Sequence, residues 1–219
     1  GSEMCIRDRI IDRAAAVTQS RQPQTRTILD KDGCALVAIT RAMLRRSAEE
    51  IYDMKIPTSR LEAHLGASGA YPENTMLAFA KAREAGALSI ETDLSLLADG
   101  GFAVFHDSAL GRTVAGDASL DSLTSAEIGT MDAGAWRGRE FAGETVPLLE
   151  DLLHWQADTG IRFNLEMKCH GTWQGEAASA LAGVQPALNM VSSCDAAFLA
   201  ALQTTLPAMP RAMISEELP

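Results

Sequence analysis

The sequence predicts an α/β fold built on a parallel sheet. From residue 60 onward, short apolar runs alternate with longer amphipathic stretches, which is the pattern of repeated β/α units. Glycine and proline mark the boundaries of these stretches, as Pro72 and Gly86 do around the amphipathic stretch 74–85. With 219 residues, of which 47% are hydrophobic, the chain can bury the core that one such domain needs.

Six strands and five helices follow from these runs. The predicted strands are 60–64, 88–94, 102–106, 161–167, 189–192 and 211–215. The predicted helices are 74–85, 125–132, 146–159, 174–188 and 196–205. Asn74 is the expected N-cap of the first helix, because it directly precedes the positions whose apolar side chains face inward.

The first 59 residues differ in composition from the rest and are expected to form a helical extension. They carry 10 basic and 8 acidic residues, whereas residues 60–219 carry 9 basic and 21 acidic ones. Helices are expected at 14–18 and 40–54. Residues 1–9 begin with Gly-Ser, and 4–9 resemble the translated end of a sequencing adapter, so they are set aside from the fold prediction.

Charge and composition exclude several classes of protein. The net charge is −10, and an acidic body repels phosphate backbones, so we expect no nucleic-acid partner. The apolar stretch 34–40 is too short for a membrane span or a signal sequence, so we expect no transmembrane segment and favour a cytoplasmic location. The four cysteines form no CxxC pair, which argues against a zinc knuckle or a disulfide framework.

Acidic residues alternate with apolar ones on two of the predicted strands. Glu91 and Asp93 share one face of the second strand, and Glu166 shares a face with Lys168 on the fourth. Burying unpaired charges on central strands costs several kcal/mol each, so a bound divalent metal and an anionic substrate best explain the pattern. An all-oxygen ligand set favours Ca²⁺ or Mg²⁺ over zinc, and the residues alone do not choose between those two ions.

Two histidines close predicted strands, His64 the first and His106 the third. Since imidazole titrates near neutral pH, one neutral and one protonated histidine could serve as the base and the acid in cleaving a phosphodiester. A single histidine at a strand end is more often structural, so the argument depends on the ordered combination.

That ordered combination resembles the glycerophosphodiester phosphodiesterase family. The similar segments carry, in order, HLGASG, PENT, IETDL, ADG, HD, RT, MDAGAW, FAGE, PLLE and NLEMK. They lie at 64–69, 72–75, 90–94, 98–100, 106–107, 112–113, 131–136, 141–144, 147–150 and 164–168. The resemblance is dense from His64 to Lys168 and weaker beyond.

The resemblance implies a (β/α)₈ TIM-type barrel domain over 60–219, with its site at the carboxyl ends of the strands. By position, Glu91, Asp93 and Glu166 would hold Ca²⁺ or Mg²⁺, and Lys168 would contact the substrate phosphate. His64 and His106 would be the acid and base, and Glu73 is a further possible site residue. The implied reaction is metal-dependent hydrolysis of a small-molecule glycerophosphodiester to sn-glycerol 3-phosphate and an alcohol.

Two departures from the family pattern lead to alternatives. The family has arginine directly after the first histidine, whereas this chain has Leu65, which makes no charge-assisted bond to phosphate. One alternative is therefore a catalytically impaired binding protein, and another is a related phosphodiesterase acting on lysophospholipids. The second departure is strand number: with about six strands instead of eight, the barrel is expected to be incomplete at its carboxyl end.

Overall fold

The structure is a computed structural model that describes residues 62–168 and 174–215, together with two short strands nearer the amino terminus. Its strands are β1 (Thr27–Leu29), β2 (Ala35–Ala38), β3 (Ala63–His64), β4 (Ser89–Leu96), β5 (Phe102–Ala103), β6 (Arg162–Lys168), β7 (Asn189–Ser193) and β8 (Arg211–Ser215). Its α-helices are α1 (Met76–Glu84), α2 (Ser125–Ile128), α3 (Leu149–Thr159), α4 (Gln174–Ala180) and α5 (Ala196–Thr205). Short 3₁₀ helices occupy Leu120–Ser122, Arg139–Phe141 and Leu181–Gly183.

The strands form one sheet in the order β2-β1-β8-β7-β6-β4-β3, with β5 paired to β4. The run β3, β4, β6, β7 and β8 is parallel, and helices α3, α4 and α5 connect its later members. Strand β1 pairs antiparallel with both β8 and β2. The described part of the chain thus has the β/α architecture of a partial barrel, as the sequence predicts.

All six predicted strands occur, but β5 runs antiparallel to β4. Five residues, 97–101, connect the two strands, and a parallel crossover needs about a dozen. Gly100 takes φ +84° in this turn, and the backbone N–H of Leu97 donates to the Gly101 carbonyl at 2.9 Å. The connection is therefore a hairpin, and five of the described strands belong to the parallel set.

The main core lies between the sheet and its helices. Ile90 and Leu94 of β4 and Phe163 of β6 pack in one cluster with Phe79 of α1 and Phe198 of α5. The carboxylates alternate with these residues along β4 and β6, so they lie on the opposite face of the sheet. A second, smaller cluster holds the segment between β4 and α3 together through residues such as Leu97, Phe105 and Ile128.

Two predicted details differ in the structure. The N-cap of α1 is Thr75, whose hydroxyl accepts from the Ala78 N–H at 3.2 Å, and not Asn74. Helices α2 and α4 are shorter than predicted, α2 ending before Gly129 and α4 passing into the 3₁₀ turn at Leu181–Gly183.

The amino-terminal segment contributes the strands β1 and β2, which the sequence did not predict. The helices expected at 14–18 and 40–54 lie outside the described residues. None of the helices in the described ranges has the length and apolar character needed to cross a bilayer.

Candidate active site

Three carboxylates converge on β4 and β6, close to the point where β3 ends. Asp93 lies opposite Glu166 in the parallel pairing, and Glu91 precedes Asp93 on the same face. One carboxylate oxygen from each residue lies within 4.8 Å of the others, and all three side chains are buried. The acid cluster predicted from the sequence is therefore assembled by strand register.

Lys168 and His64 border this cluster. The Lys168 ammonium lies 3.0 Å from Asp93 Oδ1 and also contacts Glu166. Burial alone would lower the pKa of Lys168, but the charges of Asp93 and Glu166 outweigh burial and raise it. His64, the register partner of Glu91 on β3, places Nε2 at 3.5 Å from Glu91 Oε2.

Glu91 has the least compensated environment of the three acids. Both of its carboxylate oxygens are buried and accept no hydrogen bond from any residue that the structure describes. Burial raises the pKa of Glu91 well above its ordinary value, and the charges of Asp93 and Glu166 raise it further. Three buried carboxyl groups whose oxygens converge are the donor set that a hard divalent cation takes, so these residues fit Ca²⁺ or Mg²⁺.

Asn74 makes two side-chain hydrogen bonds next to the cluster. Its amide nitrogen donates to Asp93 Oδ2 at 2.8 Å, and its amide oxygen accepts from the Thr92 hydroxyl at 2.8 Å. From the sequence, a helix cap and a contact with the site explained Asn74 equally well, and Thr92 had no functional role. The sequence did contain one indication of this contact. Asn74 and Thr75 are both good N-cap residues, and because only one of them can cap the helix, the side chain of the other can make a different hydrogen bond.

His106 lies at the mouth of the site on the chain that follows β5. The hydroxyl of Ser95 donates to the carbonyl of Phe105 at 3.0 Å, and the N–H of Phe105 donates to the Asp93 carbonyl at 3.2 Å. These bonds fix the residue before His106 against the end of β4. The His106 imidazole Nδ1 is 2.7 Å from Asp107 Oδ1.

Arg112 joins two loops at this mouth. Its guanidinium contacts Glu73 Oε1 at 2.8 Å and Asp107 Oδ2 at 2.6 Å. Burial opposes ionisation of Asp107, but hydrogen bonds from Arg112 and His106 lower its pKa below the ordinary value. Glu73, a possible site residue by sequence, is thus an ion-pair partner of Arg112, and this pairing had no signal in the sequence beyond the two charges.

Leu65 lies in the tight loop after β3. It is buried, takes φ +58°, and donates its N–H to the Glu91 carbonyl at 2.8 Å. The next residue must be glycine, because a Cβ on Gly66 would lie 2.7 Å from the carbonyl carbon of Ala78 in α1. This loop therefore lies against α1 on one side and against β4 at Glu91 on the other.

Most of the described chain matches one known protein family. The model of the glycerophosphoryl diester phosphodiesterase family matches residues 64–218, which include both strands of the acid cluster. The chain belongs to this family.

Two bacterial proteins are among the curated relatives of this chain. An uncharacterized protein of Bacillus subtilis, YqiK, is 42% identical over 110 residues, which cover 50% of this chain and 45% of that protein. A glycerophosphodiester phosphodiesterase of Caldanaerobacter subterraneus is 41% identical over 106 residues, covering 48% of this chain and 44% of its own length. The chain thus aligns with less than half the length of these two relatives.

Solved structures of glycerophosphodiester phosphodiesterases share the fold. A phosphodiesterase of Oleispira antarctica, solved in complex with the product sn-glycerol-3-phosphate, superimposes with a TM-score of 0.63 at 33% identity. The superposition covers 68% of this chain and 63% of that one. It supports the interpretation of the described sheet as part of the family's α/β barrel.

Proposed function

We propose that this chain hydrolyses glycerophosphodiesters to sn-glycerol 3-phosphate and an alcohol, with a divalent metal ion held by Glu91, Asp93 and Glu166. The observation that carries the proposal is the convergence of these three buried carboxylates beside Lys168 and His64. Among the described residues at this point, the one ammonium group of Lys168 contacts Asp93 and Glu166, and Glu91 adds a third carboxyl group, which leaves negative charge for a cation to balance.

Each side chain then has a role that its position supports. Lewis-acid stabilisation of the charge developing on the phosphoryl oxygens is the chemistry that a divalent ion supplies when bound at these carboxylates. Lys168 lies beside the cluster with a positive charge and would contact a phosphate oxygen.

His64 and His106 would transfer protons on the two sides of the phosphate. One imidazole takes the proton of the attacking hydroxyl or water, and the other gives a proton to the leaving alkoxide. His106 is held through Nδ1 by Asp107, so its Nε2 is the nitrogen available to substrate.

The relatives support the substrate class. Several carry the name glycerophosphodiester phosphodiesterase, and the Oleispira antarctica structure holds sn-glycerol-3-phosphate, the product that this reaction would release. The ligand set here is consistent with such a substrate, since a phosphodiester anion would meet a cation, an ammonium group and two imidazoles.

The test is release of sn-glycerol 3-phosphate from glycerophosphocholine by the purified chain with Ca²⁺, with Mg²⁺ and with chelator. Metal-dependent release that is lost in Glu91→Gln and His64→Ala, but kept in the exposed-site control Glu84→Gln, is the expected result. Lysophosphatidylcholine in parallel distinguishes the related lipid phosphodiesterase activity.

A second candidate, a metal-binding protein without turnover, is favoured by one observation. Leu65 occupies the position where the family pattern has arginine, and its buried apolar side chain makes no charge-assisted contact with an anion. Metal binding by a folded chain that releases no product from either substrate would contradict the enzyme proposal and support this candidate.

A further inference from the structure

The side chain of Asn74 contacts β4 just past the point where its pairing with β3 ends. Strand β3 ends at His64, opposite Glu91, whereas β4 continues to Leu96. The Asn74 amide bonds to Thr92 and Asp93, two consecutive residues of β4 whose side chains leave opposite faces of the sheet. A single buried amide therefore connects the core face to the carboxylate face.

The backbone holds Asn74 in the conformation that this contact needs. Asn74 has φ +56°, which asparagine tolerates better than most residues, and its N–H donates to the Leu65 carbonyl at 3.2 Å. The side chain is 4% exposed. Helix α1 has its cap in Thr75, so the Asn74 amide is not needed to begin the helix.

The donor and acceptor pattern allows one arrangement of the amide. A carboxylate accepts only, so the amide nitrogen faces Asp93 and the amide oxygen faces Thr92, whose hydroxyl donates to it. Thr92 is fully buried beside Ile90 and Leu94, where a hydroxyl without a partner is costly. Its hydrogen bond to Asn74 satisfies that hydroxyl and fixes the amide.

We propose that Asn74, fixed by Thr92, is a positioning residue that sets the orientation of the Asp93 carboxylate in the acid cluster. The proposal rests on the metal-dependent function proposed above. Rotation of a carboxylate about χ2 is broad, and the Asn74 bond to Oδ2 selects one orientation, in which Oδ1 contacts Lys168 at 3.0 Å. Oδ1 is then the oxygen presented to the cluster.

The test compares Thr92→Val, Thr92→Ser and Asn74→Gly. Valine keeps the shape of threonine without the hydroxyl, serine keeps the hydroxyl, and glycine keeps the positive φ without the amide. Ca²⁺ affinity is measured by calorimetry, and kcat and KM are measured with glycerophosphocholine. Ser193→Ala is the matched control, because it also removes a buried strand hydroxyl, one that donates to the Met167 carbonyl at 2.9 Å.

We expect Thr92→Val and Asn74→Gly to weaken Ca²⁺ binding about 10- to 100-fold and to lower kcat, with KM within about twofold of the unchanged chain. Thr92→Ser should restore affinity, and Ser193→Ala should keep it. Unchanged Ca²⁺ affinity in Thr92→Val and Asn74→Gly, or an equal loss in Ser193→Ala, would overturn the proposal.

The positioning role can be tested even if the proposed metal-dependent function is wrong. If the unchanged chain binds neither Ca²⁺ nor Mg²⁺, crystal structures of the metal-free Thr92 variants decide the positioning role. The contact between Asp93 Oδ1 and Lys168 Nζ should be lost in Thr92→Val and kept in Thr92→Ser. A contact kept in both variants would contradict the role of Thr92 and Asn74.

Discussion

Glu91 and His64 are register partners on neighbouring parallel strands, yet their side chains approach only to 3.5 Å between Nε2 and Oε2. Neither Glu91 oxygen accepts a hydrogen bond from the described residues, although both are buried. A buried carboxylate in this state lowers the free energy of unfolding. A cation that binds only the native state would offset this loss.

The first prediction concerns Glu91→Gln. Removing the buried charge should raise the free energy of unfolding of the metal-free chain by about 1–3 kcal/mol. It should also abolish the stabilisation by Ca²⁺ or Mg²⁺, which for a simple site is about 2.7 kcal/mol at a hundredfold excess over Kd. Thermal unfolding with and without metal measures both effects. A variant less stable than the unchanged chain in chelator would contradict the interpretation of Glu91 as an uncompensated ligand.

A second prediction concerns Lys168, whose ammonium contacts Asp93 and Glu166 at the carboxyl end of β6. Lys168→Met leaves buried carboxylates without their cation and should destabilise the metal-free chain by about 3–5 kcal/mol. Ca²⁺ should recover part of this loss, since it balances the same charges. Lys168→Arg, which keeps the charge, is the control in urea unfolding. Equal stability of Lys168→Met and the unchanged chain would exclude a charge-balancing role.

Most of the carboxylate cluster could be predicted from sequence because strand periodicity alone assigns side chains to faces. Glu91 and Asp93 are two residues apart, as are Glu166 and Lys168, so each pair had to share a face of its strand. The parallel register that puts Asp93 opposite Glu166 is a tertiary property that periodicity does not give, and the two strands were expected to be neighbours only because burying their charges separately is costly.

The features that sequence reasoning missed depend on short-range geometry. The direction of β5 follows from the five-residue connection 97–101, which strand propensity does not encode. The role of Asn74 depends on Thr75 capping α1 instead, and both residues are good caps. The contact of Arg112 with Glu73 joins loops that are far apart in sequence.

A third prediction tests the consequence of Leu65. If the protein is an enzyme limited by weak phosphate binding, Leu65→Arg should raise kcat/KM for glycerophosphocholine about 10- to 100-fold, the value of one charge-assisted hydrogen bond of about 1.5–3 kcal/mol. Leu65→Met, similar in volume and uncharged, should leave kcat/KM within about threefold of the unchanged chain. Activity that stays near zero in Leu65→Arg, with metal binding intact, would support the binding-protein candidate.

The last prediction concerns Arg112 and the acid stability of the mouth. The folded-state pKa of Asp107 lies below its unfolded value, so this carboxylate stabilises the fold above the unfolded pKa of about 3.9 and loses that contribution as pH falls through the folded pKa. Arg112→Met should remove the part of the Asp107 pKa depression that Arg112 causes and leave the part due to His106. Because Arg112 is 46% exposed, the expected loss at pH 6 is only about 0.5–1 kcal/mol.

This ion pair is therefore best identified by how its contribution to the unfolding free energy changes with pH, because that contribution is small. The difference in unfolding free energy between the unchanged chain and Arg112→Met should be constant from pH 5 to pH 7 and should shrink as Asp107 becomes protonated. Arg83→Met, at an exposed arginine near the end of α1, is the matched control for loss of a surface charge. A difference that persists undiminished at pH 2.5, or an equal effect in Arg83→Met, would show that Arg112 acts through packing and not through Asp107.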